Sequence, residues 1–309
     1  MTGILITGGA GMIGRELARA LPAEKTLVTD LARGALPEQV RFRTMDVTGS
    51  DPETVIGEER PDVVIHLASI VTPVPGMTRA EACAVDVNGT RNVLEACVKN
   101  GVRRLVVTSS GAAYGYHPDN PIPITETAPC RGNPEFAYAD HKRRVEELLA
   151  RARQEHPKLE QVILRVGTVL GAETDNQITA LFRRKRLLAV GNSDSPFVFV
   201  WTKDLVRILE RAACSGPPGI FNVAGDGWMT VEDLARSLNK SVLRMPAWLL
   251  KAALTLAHPL GLSQYGPEQV RFLQYRPVLA NDRLKSDFGY TPELTSSEVF
   301  NLWKREAVI

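Results

Sequence analysis

Gly8-Gly9-Ala10-Gly11-Met12-Ile13-Gly14 is a glycine-rich stretch between a short apolar run, Gly3 to Thr7, and a helical pattern that begins at Met12. Glycines at the first, fourth and seventh positions let the backbone approach a pyrophosphate closely. The N-terminus of the following helix offers unpaired N–H groups and a favourable dipole to the same anion. The stretch therefore predicts a strand, a turn and a helix that bind a dinucleotide through Gly8, Gly11, Met12, Ile13 and Gly14.

A carboxylate ends the next apolar run, which extends from Thr26 to Asp30. At this distance from the glycines, Asp30 is placed to bond the adenosine ribose hydroxyls, and it would repel a 2′-phosphate. The predicted cofactor is therefore NAD, although Arg33 keeps NADP open as the less favoured alternative. Asp46 and Val47 follow the third predicted strand and are placed to flank the adenine. A turn-forming role explains Asp46 equally well.

The first half of the chain alternates short apolar runs with longer helical patterns, which is typical of a parallel sheet with crossover helices. Further strands are predicted at 40–44, 62–67, 104–109 and 161–166, and helices at 79–100 and 138–155. The second half predicts helices at 177–186, 203–214 and 230–238, and β segments at 197–200 and 221–223. We expect an α/β fold, a Rossmann doubly wound parallel sheet (1–170) with a smaller C-terminal substrate-binding lobe (171–309) from which some segments return to the sheet.

Composition narrows the range of partners. The formal net charge is only +2, so nothing favours nucleic-acid binding, and the basic cluster Arg183 to Arg186 is interpreted as a solvated helix face. The four cysteines and five histidines lack metal-ligand or disulfide spacing, and no signal peptide is evident. The apolar stretch Pro246 to Leu262 contains Lys251, His258 and Pro259, which argues against a membrane span. These features predict a cytoplasmic protein without a metal or an integral membrane segment.

A serine pair and a tyrosine–lysine pair suggest chemistry beyond binding. Ser109 and Ser110 end the fifth predicted strand, at the edge of the sheet where ligands bind. Tyr138 and Lys142 are four residues apart at the start of a predicted helix, which places the phenol and the ammonium on one face. A nearby cation favours the phenolate, so such a tyrosine can exchange protons near neutral pH.

Taken together, these motifs resemble the extended branch of the short-chain dehydrogenase/reductase family. The matching segments cover nearly the whole chain in the order of the family: TGGAGMIG at 7–14, Asp30, MDV at 45–47, HLAS at 66–69, VNGTRNVLEAC at 87–97, SSGAAYG at 109–115, YADHK at 138–142, LRVGTVLG at 164–171 and FNVAGDG at 221–227. The resemblance implies an NAD(P)-dependent enzyme that acts on a small-molecule substrate. It also implies a homodimer that pairs through helices 79–100 and 138–155.

The resemblance also implies roles for individual residues. Tyr138 would be the catalytic acid/base, Lys142 would lower its pKa and bond the nicotinamide ribose, and Ser110 would hydrogen-bond the substrate oxygen. Ser109 is the less favoured partner, and a satisfied strand-end hydroxyl is the alternative for it. Leu67 and Ala68 would form an apolar wall of the cofactor channel. Asn88 would either be tied into the site or only pack the helix.

The reaction is narrowed by departures from the family pattern. Sugar 4,6-dehydratases resemble one another in carrying an Asp-Glu pair directly after the active-site hydroxyl residue. Gly111 and Ala112 occupy those two positions here, so an additional acid or base for elimination is missing. Thr168 stands where nucleotide-sugar enzymes tend to have an asparagine, and no arginine begins the β segment of Phe197. Two hypotheses remain: a dehydrogenase or ketoreductase acting on a secondary alcohol or ketone, and a sugar epimerase in which NAD is transiently reduced.

The apolar stretch from Pro246 to Ala257 bears on the substrate. Similar helices occur in hydroxysteroid dehydrogenase-like members, where they cover an apolar substrate or touch a membrane. The favoured interpretation is a helix that packs the second lobe against the Rossmann domain.

Overall fold

The computed structural model describes residues 3–74, 76–194, 196–258, 260 and 266–307. Within these residues the β-strands are β1 (Ile4–Thr7), β2 (Thr26–Asp30), β3 (Arg41–Thr44), β4 (Val63–His66), β5 (Arg104–Ser110), β6 (Glu160–Val166), β7 (Thr168–Leu170), β8 (Arg186–Val190), β9 (Phe199–Trp201), β10 (Gly219–Val223) and β11 (Ser241–Met245).

The α-helices of the same residues are α1 (Met12–Ala20), α2 (Asp51–Glu59), α3 (Arg79–Cys83), α4 (Thr90–Lys99), α5 (Ala137–Glu155), α6 (Gln177–Arg183), α7 (Thr202–Cys214), α8 (Val231–Ser237), α9 (Ala247–Ala257), α10 (Gln269–Gln274), α11 (Asp282–Ser286) and α12 (Ser296–Glu306). Short 3₁₀ turns lie at Ala23–Lys25 and Gly111–Tyr114, and a π-helical turn at Ala84–Gly89 joins α3 to α4.

Seven of the described strands form one parallel sheet in the order β3-β2-β1-β4-β5-β6-β10. The strand order reverses between β1 and β4, which is the switch point at which doubly wound sheets bind their ligands. This arrangement confirms the predicted Rossmann fold. β10, from the second half of the chain, is a strand of this sheet. α7, also from the second half, packs against α1 beside the sheet.

Side chains of the strands alternate between the two faces of the sheet. Ile6 and Val106 point to a core that also contains Leu17 of α1 and Leu209 of α7. On the other face, residues such as Leu5 pack in a core with apolar side chains of α2, α4 and α5. A separate aromatic core, which contains Phe182, Phe199 and Trp303, stabilises the lobe built around β7, β9 and α12.

The predicted helix at 79–100 is interrupted. Its middle turn, Ala84–Gly89, has π-helical hydrogen bonding, a local widening that is frequent at functional sites. Gly89 lies against the Val47 side chain, and a Cβ atom at Gly89 would lie 2.7 Å from Val47 Cγ2. The turn places Asp86 in the interior, where it is 2% exposed.

The predicted helix at 177–186 is wrong at its end. α6 stops at Arg183, and Arg186 begins β8, which pairs in parallel with β11. The cluster from Arg183 to Arg186 is therefore a helix end and a strand start rather than one face of a helix. Pairing with β11, which is distant in sequence, overrides the local helical pattern.

The apolar stretch forms a packing helix as expected, but its core contacts lie within the second lobe, where Leu250 packs with Val190, Val270 and Leu273, rather than against the Rossmann domain. In α9 only Leu250 is buried, and Trp248 and Leu256 are 71% and 70% exposed. Residues 259, 261 and 262 of that stretch lie outside the described residues. No helix in the described part of the chain is long and apolar enough to cross a membrane.

Gly14 provides a test of the packing of the glycine turn. A Cβ atom at Gly14 would lie 2.4 Å from the Cα atom of Gly9, a backbone contact that no side-chain rotation relieves. We expect Gly14→Ala to lower the free energy of unfolding by about 2 kcal/mol or more, because overpacking outweighs the gain in helix propensity of about 1 kcal/mol. Urea denaturation followed by circular dichroism measures the change.

Gly49→Ala is the matched control, since nothing lies within 4 Å of a Cβ atom at Gly49. We expect this control to change stability by less than about 0.5 kcal/mol. Equal stability of the Gly14→Ala variant and the native chain would contradict the close packing of α1 on the turn.

Candidate active site

A cavity of about 1120 Å³ opens at the carboxyl edge of the sheet. It is lined from one side by Met12 and Ile13 of the glycine turn, and from the other by Tyr138 and Lys142 of α5. Six of the favoured site residues line it, Met12, Ile13, Leu67, Ser110, Tyr138 and Lys142, and so does the less favoured Ser109. The structure thus brings residues from four separate segments of the chain to one space.

The glycine turn is shaped for close approach of a ligand backbone. Gly8 has a φ of +66°, and a Cβ atom there would lie 2.5 Å from the backbone nitrogen of Ala68. Gly11 is exposed and is the N-cap residue of α1, where no side-chain cap fills the helix end. The end of α1 is therefore accessible to an anion, and the turn fits the pyrophosphate of a dinucleotide.

Asp30 lies beside this turn at the end of β2. Its carboxylate accepts hydrogen bonds from the backbone N–H of Ala10 at 3.0 Å and of Leu31 at 2.8 Å, which hold it at the rim of the turn. Arg33 donates to the carbonyl oxygens of Pro37, Glu38 and Val40. Because the Arg33 guanidinium is engaged by its own loop, the arrangement supports NAD rather than NADP.

The predicted adenine residues lie on the next loop. Asp46 accepts hydrogen bonds from both the backbone N–H and the hydroxyl of Thr48, which is the turn-forming arrangement. Val47 is 7% exposed, and its carbonyl oxygen accepts from Asn92. Neither residue lines the cavity, and their contact with an adenine stays a prediction.

Tyr138 and Lys142 occupy successive turns of α5. The Lys142 Nζ lies 5.6 Å from the centre of the Tyr138 ring and donates to the carbonyl oxygen of Thr108 at 3.1 Å. Lys142 is 5% exposed. The ammonium and the phenol ring thus lie close together on the cavity wall. The Ser110 hydroxyl, which accepts from the backbone N–H of Ala112, lies on the same cavity wall.

A buried carboxylate behind these residues was missed by the sequence reasoning. Asp86 accepts hydrogen bonds from the Ser69 hydroxyl at 2.9 Å, from the Ile70 N–H at 2.7 Å and from His141 Nδ1 at 2.9 Å. Burial opposes its charge, but the bond from His141 and the cation of Lys142 hold its pKa below the usual value. Asn88, by contrast, is exposed and accepts from Arg91, so it is not tied into the site.

Ser109, which also lines the cavity, has a hydroxyl satisfied at the end of its strand. It donates to Glu146 Oε1 at 2.6 Å, and Glu146 forms a two-point ion pair with Arg165 at 2.9 Å for each contact. Arg165 also donates to the Tyr114 hydroxyl, which donates to Asn222 Oδ1. This network links α5, β5, β6 and the turn after Ser110 beneath the cavity.

The remaining cavity wall has apolar members, Val71, Val74, Met77, Phe197, Phe272 and Leu279, and polar members, Arg79, Glu135, Asn176, Gln177, His258, Glu268 and Gln269. A buried cation also lies on it. Arg276 is 8% exposed, and its guanidinium lies 3.5 Å from the centre of the Phe197 ring. Burial lowers the pKa of Arg276 to about 9, so it remains protonated at neutral pH. The β segment of Phe197 begins without an arginine, as the sequence shows, but Arg276 of a distant segment brings a guanidinium to the same wall.

Comparison with known proteins agrees with this geometry. The model of the NAD dependent epimerase/dehydratase family matches residues 4–224, more than half of the chain. The chain belongs to this family. The match confirms the predicted resemblance, and the family is NAD-dependent, as the glycine turn and Asp30 predicted.

Three proteins similar to this chain share about a quarter of their aligned residues with it. An uncharacterized protein of Mycobacterium tuberculosis is 23% identical over 308 residues, covering 96% of this chain and 82% of the relative. The sterol-4-alpha-carboxylate 3-dehydrogenase (decarboxylating) of Saccharomyces cerevisiae is 25% identical, with 96% and 95% covered. The solved UDP-glucose 4-epimerase of Thermus thermophilus, in complex with NAD, is 25% identical with a TM-score of 0.74, and 99% of each chain is covered.

The chain carries no cluster for a metal cofactor in the part that the structure describes. No group of three or more His, Cys, Asp or Glu side chains lies close enough there to hold an ion.

His66 makes stability depend on pH. It lies between the hydroxyls of Thr7 at 2.7 Å and Thr90 at 2.9 Å, and burial, followed by the cation of Lys142, lowers its pKa to about 3. Below the unfolded value of about 6.5 the unfolded chain binds a proton that the folded chain does not. We expect this group to remove about 3 kcal/mol of unfolding free energy between about pH 7 and about pH 4. Urea denaturation at a series of pH values measures the slope.

His66→Asn removes the titrating group, so we expect a shallower slope of stability against pH whatever its effect at neutral pH. His156→Asn is the matched control, because His156 is exposed at the end of α5. An unchanged slope in the His66 variant would contradict the neutral, buried state of this imidazole.

Proposed function

We propose that this chain is an NAD-dependent oxidoreductase that interconverts a secondary alcohol and a ketone. One observation carries the proposal: Ser110, Tyr138 and Lys142 line a single cavity with Met12 and Ile13 of the glycine turn. A hydride transfer needs the reacting carbon to lie between a dinucleotide and a proton-transfer group. The cavity has room for such an arrangement.

The proposed roles follow from the chemistry of the side chains. Tyr138 takes the hydroxyl proton of the alcohol, or returns it to the ketone in the reverse direction. Lys142 stabilises the phenolate, and Ser110 donates a hydrogen bond to the substrate oxygen. NAD, when bound by Gly8, Gly11, Gly14 and Asp30, supplies the acceptor for the hydride.

The apolar members of the cavity wall support a substrate of low polarity. Val71, Val74 and Phe272 offer dispersion contacts and no hydrogen bonds. Gly111 and Ala112 provide no additional acid or base beside Ser110, so the proposed chemistry stops at oxidation or reduction. The name of the yeast relative, a sterol dehydrogenase, is in line with this substrate class.

Arg276 favours a second candidate, a sugar epimerase that oxidises and then reduces its substrate within one cycle. A buried guanidinium on the cavity wall can bind an anionic group such as a diphosphate. The Thermus thermophilus neighbour is a UDP-glucose 4-epimerase. The same Tyr138 and Lys142 would serve in either reaction.

Replacing Tyr138 tests the proposed acid/base. We expect Tyr138→Phe to lower kcat at least about 100-fold, because proton transfer is lost while the ring is kept. The dissociation constant for NAD, measured by quenching of tryptophan fluorescence, should change by less than about threefold. Tyr275→Phe is the matched control, since Tyr275 does not line the cavity. Turnover retained by the Tyr138 variant would refute the assignment.

Net cofactor reduction separates the two candidate functions. We expect NADH to accumulate, seen as absorbance at the nicotinamide band, when the enzyme is given NAD and a panel of alcohols, sterols and sugar acids. NADP is run beside NAD, and Asp30 predicts a lower rate with it. Conversion of a nucleotide sugar without net NADH would instead support the epimerase.

A further inference from the structure

The outer side of α9 is apolar and exposed. Trp248, Leu249 and Leu256 are 71%, 42% and 70% exposed. Together with Ala252 and Ala253 they lie on one face of the helix, because residues three and four positions apart share a face. The opposite side, which includes Leu250, packs on Val190, Val270 and Leu273. A helix that is apolar on both sides is normally covered on both.

The segment that contains α9 carries a net positive charge, although Arg236 pairs with Asp233 and Arg244 with Glu232 just before it. Residues 234–267 contain no Asp or Glu, and they contain Arg236, Lys240, Arg244 and Lys251. Lys251 is exposed and lies on the edge of the helix between the buried and the exposed side. β11 leads into α9 and pairs with β8. The exposed Arg184, Lys185 and Arg186 lie at the start of β8, at the end of this strand pair that is farther from α9. An apolar face with a cationic surround is complementary to an anionic lipid surface.

A second copy of the chain fits this surface less well. An eleven-residue helix is about 16 Å long, so its outer side offers on the order of 200 Å². A stable dimer buries about 800 Å² per partner. Two such surfaces would also bring together two segments of net positive charge, which disfavours their association.

We propose that α9 docks on the surface of an anionic lipid bilayer, with Trp248, Leu249 and Leu256 in the interfacial region and Lys251 at the headgroups. The helix lies in the plane of the surface and does not span the bilayer. His258, which follows α9, lines the catalytic cavity, and so do the exposed Val71 and Val74, which are 61% exposed each. Docking therefore brings the mouth of the cavity close to the lipid, from which an apolar substrate can enter.

Vesicle sedimentation tests the proposal with the full chain. We expect binding to phosphatidylcholine vesicles that contain about one third phosphatidylserine, and weaker binding to phosphatidylcholine alone or at high salt. The double variant Trp248→Ser/Leu256→Ser should lower the partition coefficient at least about tenfold. Lys251→Glu should lower it at least about fivefold on anionic vesicles.

The matched control is Ile122→Ser/Trp228→Ser, which removes an exposed aliphatic and an exposed indole elsewhere, 59% and 47% exposed. We expect this control to bind like the native chain. All variants replace exposed side chains, and an unchanged thermal midpoint establishes that they are folded.

Three outcomes would overturn the proposal: no binding to anionic vesicles, equal binding of the Trp248/Leu256 variant and the native chain, or a native dimer that this variant dissociates. The last would assign the surface to a second copy. The assay measures partitioning and not turnover, so its failure leaves the proposed reaction untouched, and the reverse also holds.

Discussion

The ion pair between Glu146 and Arg165 is the contact on which the geometry of the candidate site depends. Glu146 lies four residues after Lys142 and eight after Tyr138, on the same side of α5. Its bonds to Arg165 of β6 and Ser109 of β5 therefore fix the position of the helix against the strand that carries Ser110. Loss of one partner leaves a buried charge uncompensated, which costs about 3–5 kcal/mol in proteins. The pair holds the site in place rather than taking part in its chemistry.

The second constraint is the charge of Lys142, which is buried and needs compensation. The carboxylate of Asp86, placed in the interior by the π-helical turn, supplies it from behind. His66 lies in the same interior and stays neutral, because burial and the repulsion of a second cation by Lys142 both oppose its protonation. Asp86 thus compensates the charge of Lys142 in the interior, while the Lys142 ammonium lies near the Tyr138 ring at the cavity.

The parts of the fold that were predicted from the sequence are those encoded locally. The glycine turn, the strand that ends at Asp30 and the Tyr138–Lys142 spacing each lie within one segment, where helix and strand periodicity is informative. Asp86, Arg276 and the β8–β11 pair were missed, because their positions depend on contacts between distant segments. The exposure of Asn88, two residues from Asp86, could not be predicted for a similar reason. The π-helical turn changes which side of the helix each residue faces, and no periodicity in the sequence indicates that turn.

The cavity wall contains two features that bear on the proposed substrate in different ways, the buried Arg276 and exposed apolar side chains. Arg276 could bind an anion, but the faces of Phe197 and Phe272, at 3.5 and 5.2 Å, already stabilise its charge. A cation held between rings does not require an anionic substrate. Val71 and Val74 of the wall are exposed, by contrast, and they gain by contact with an apolar ligand. These exposed side chains are in line with the proposed apolar alcohol or ketone, and Arg276 is a place where a substrate of that class could carry a single acidic group.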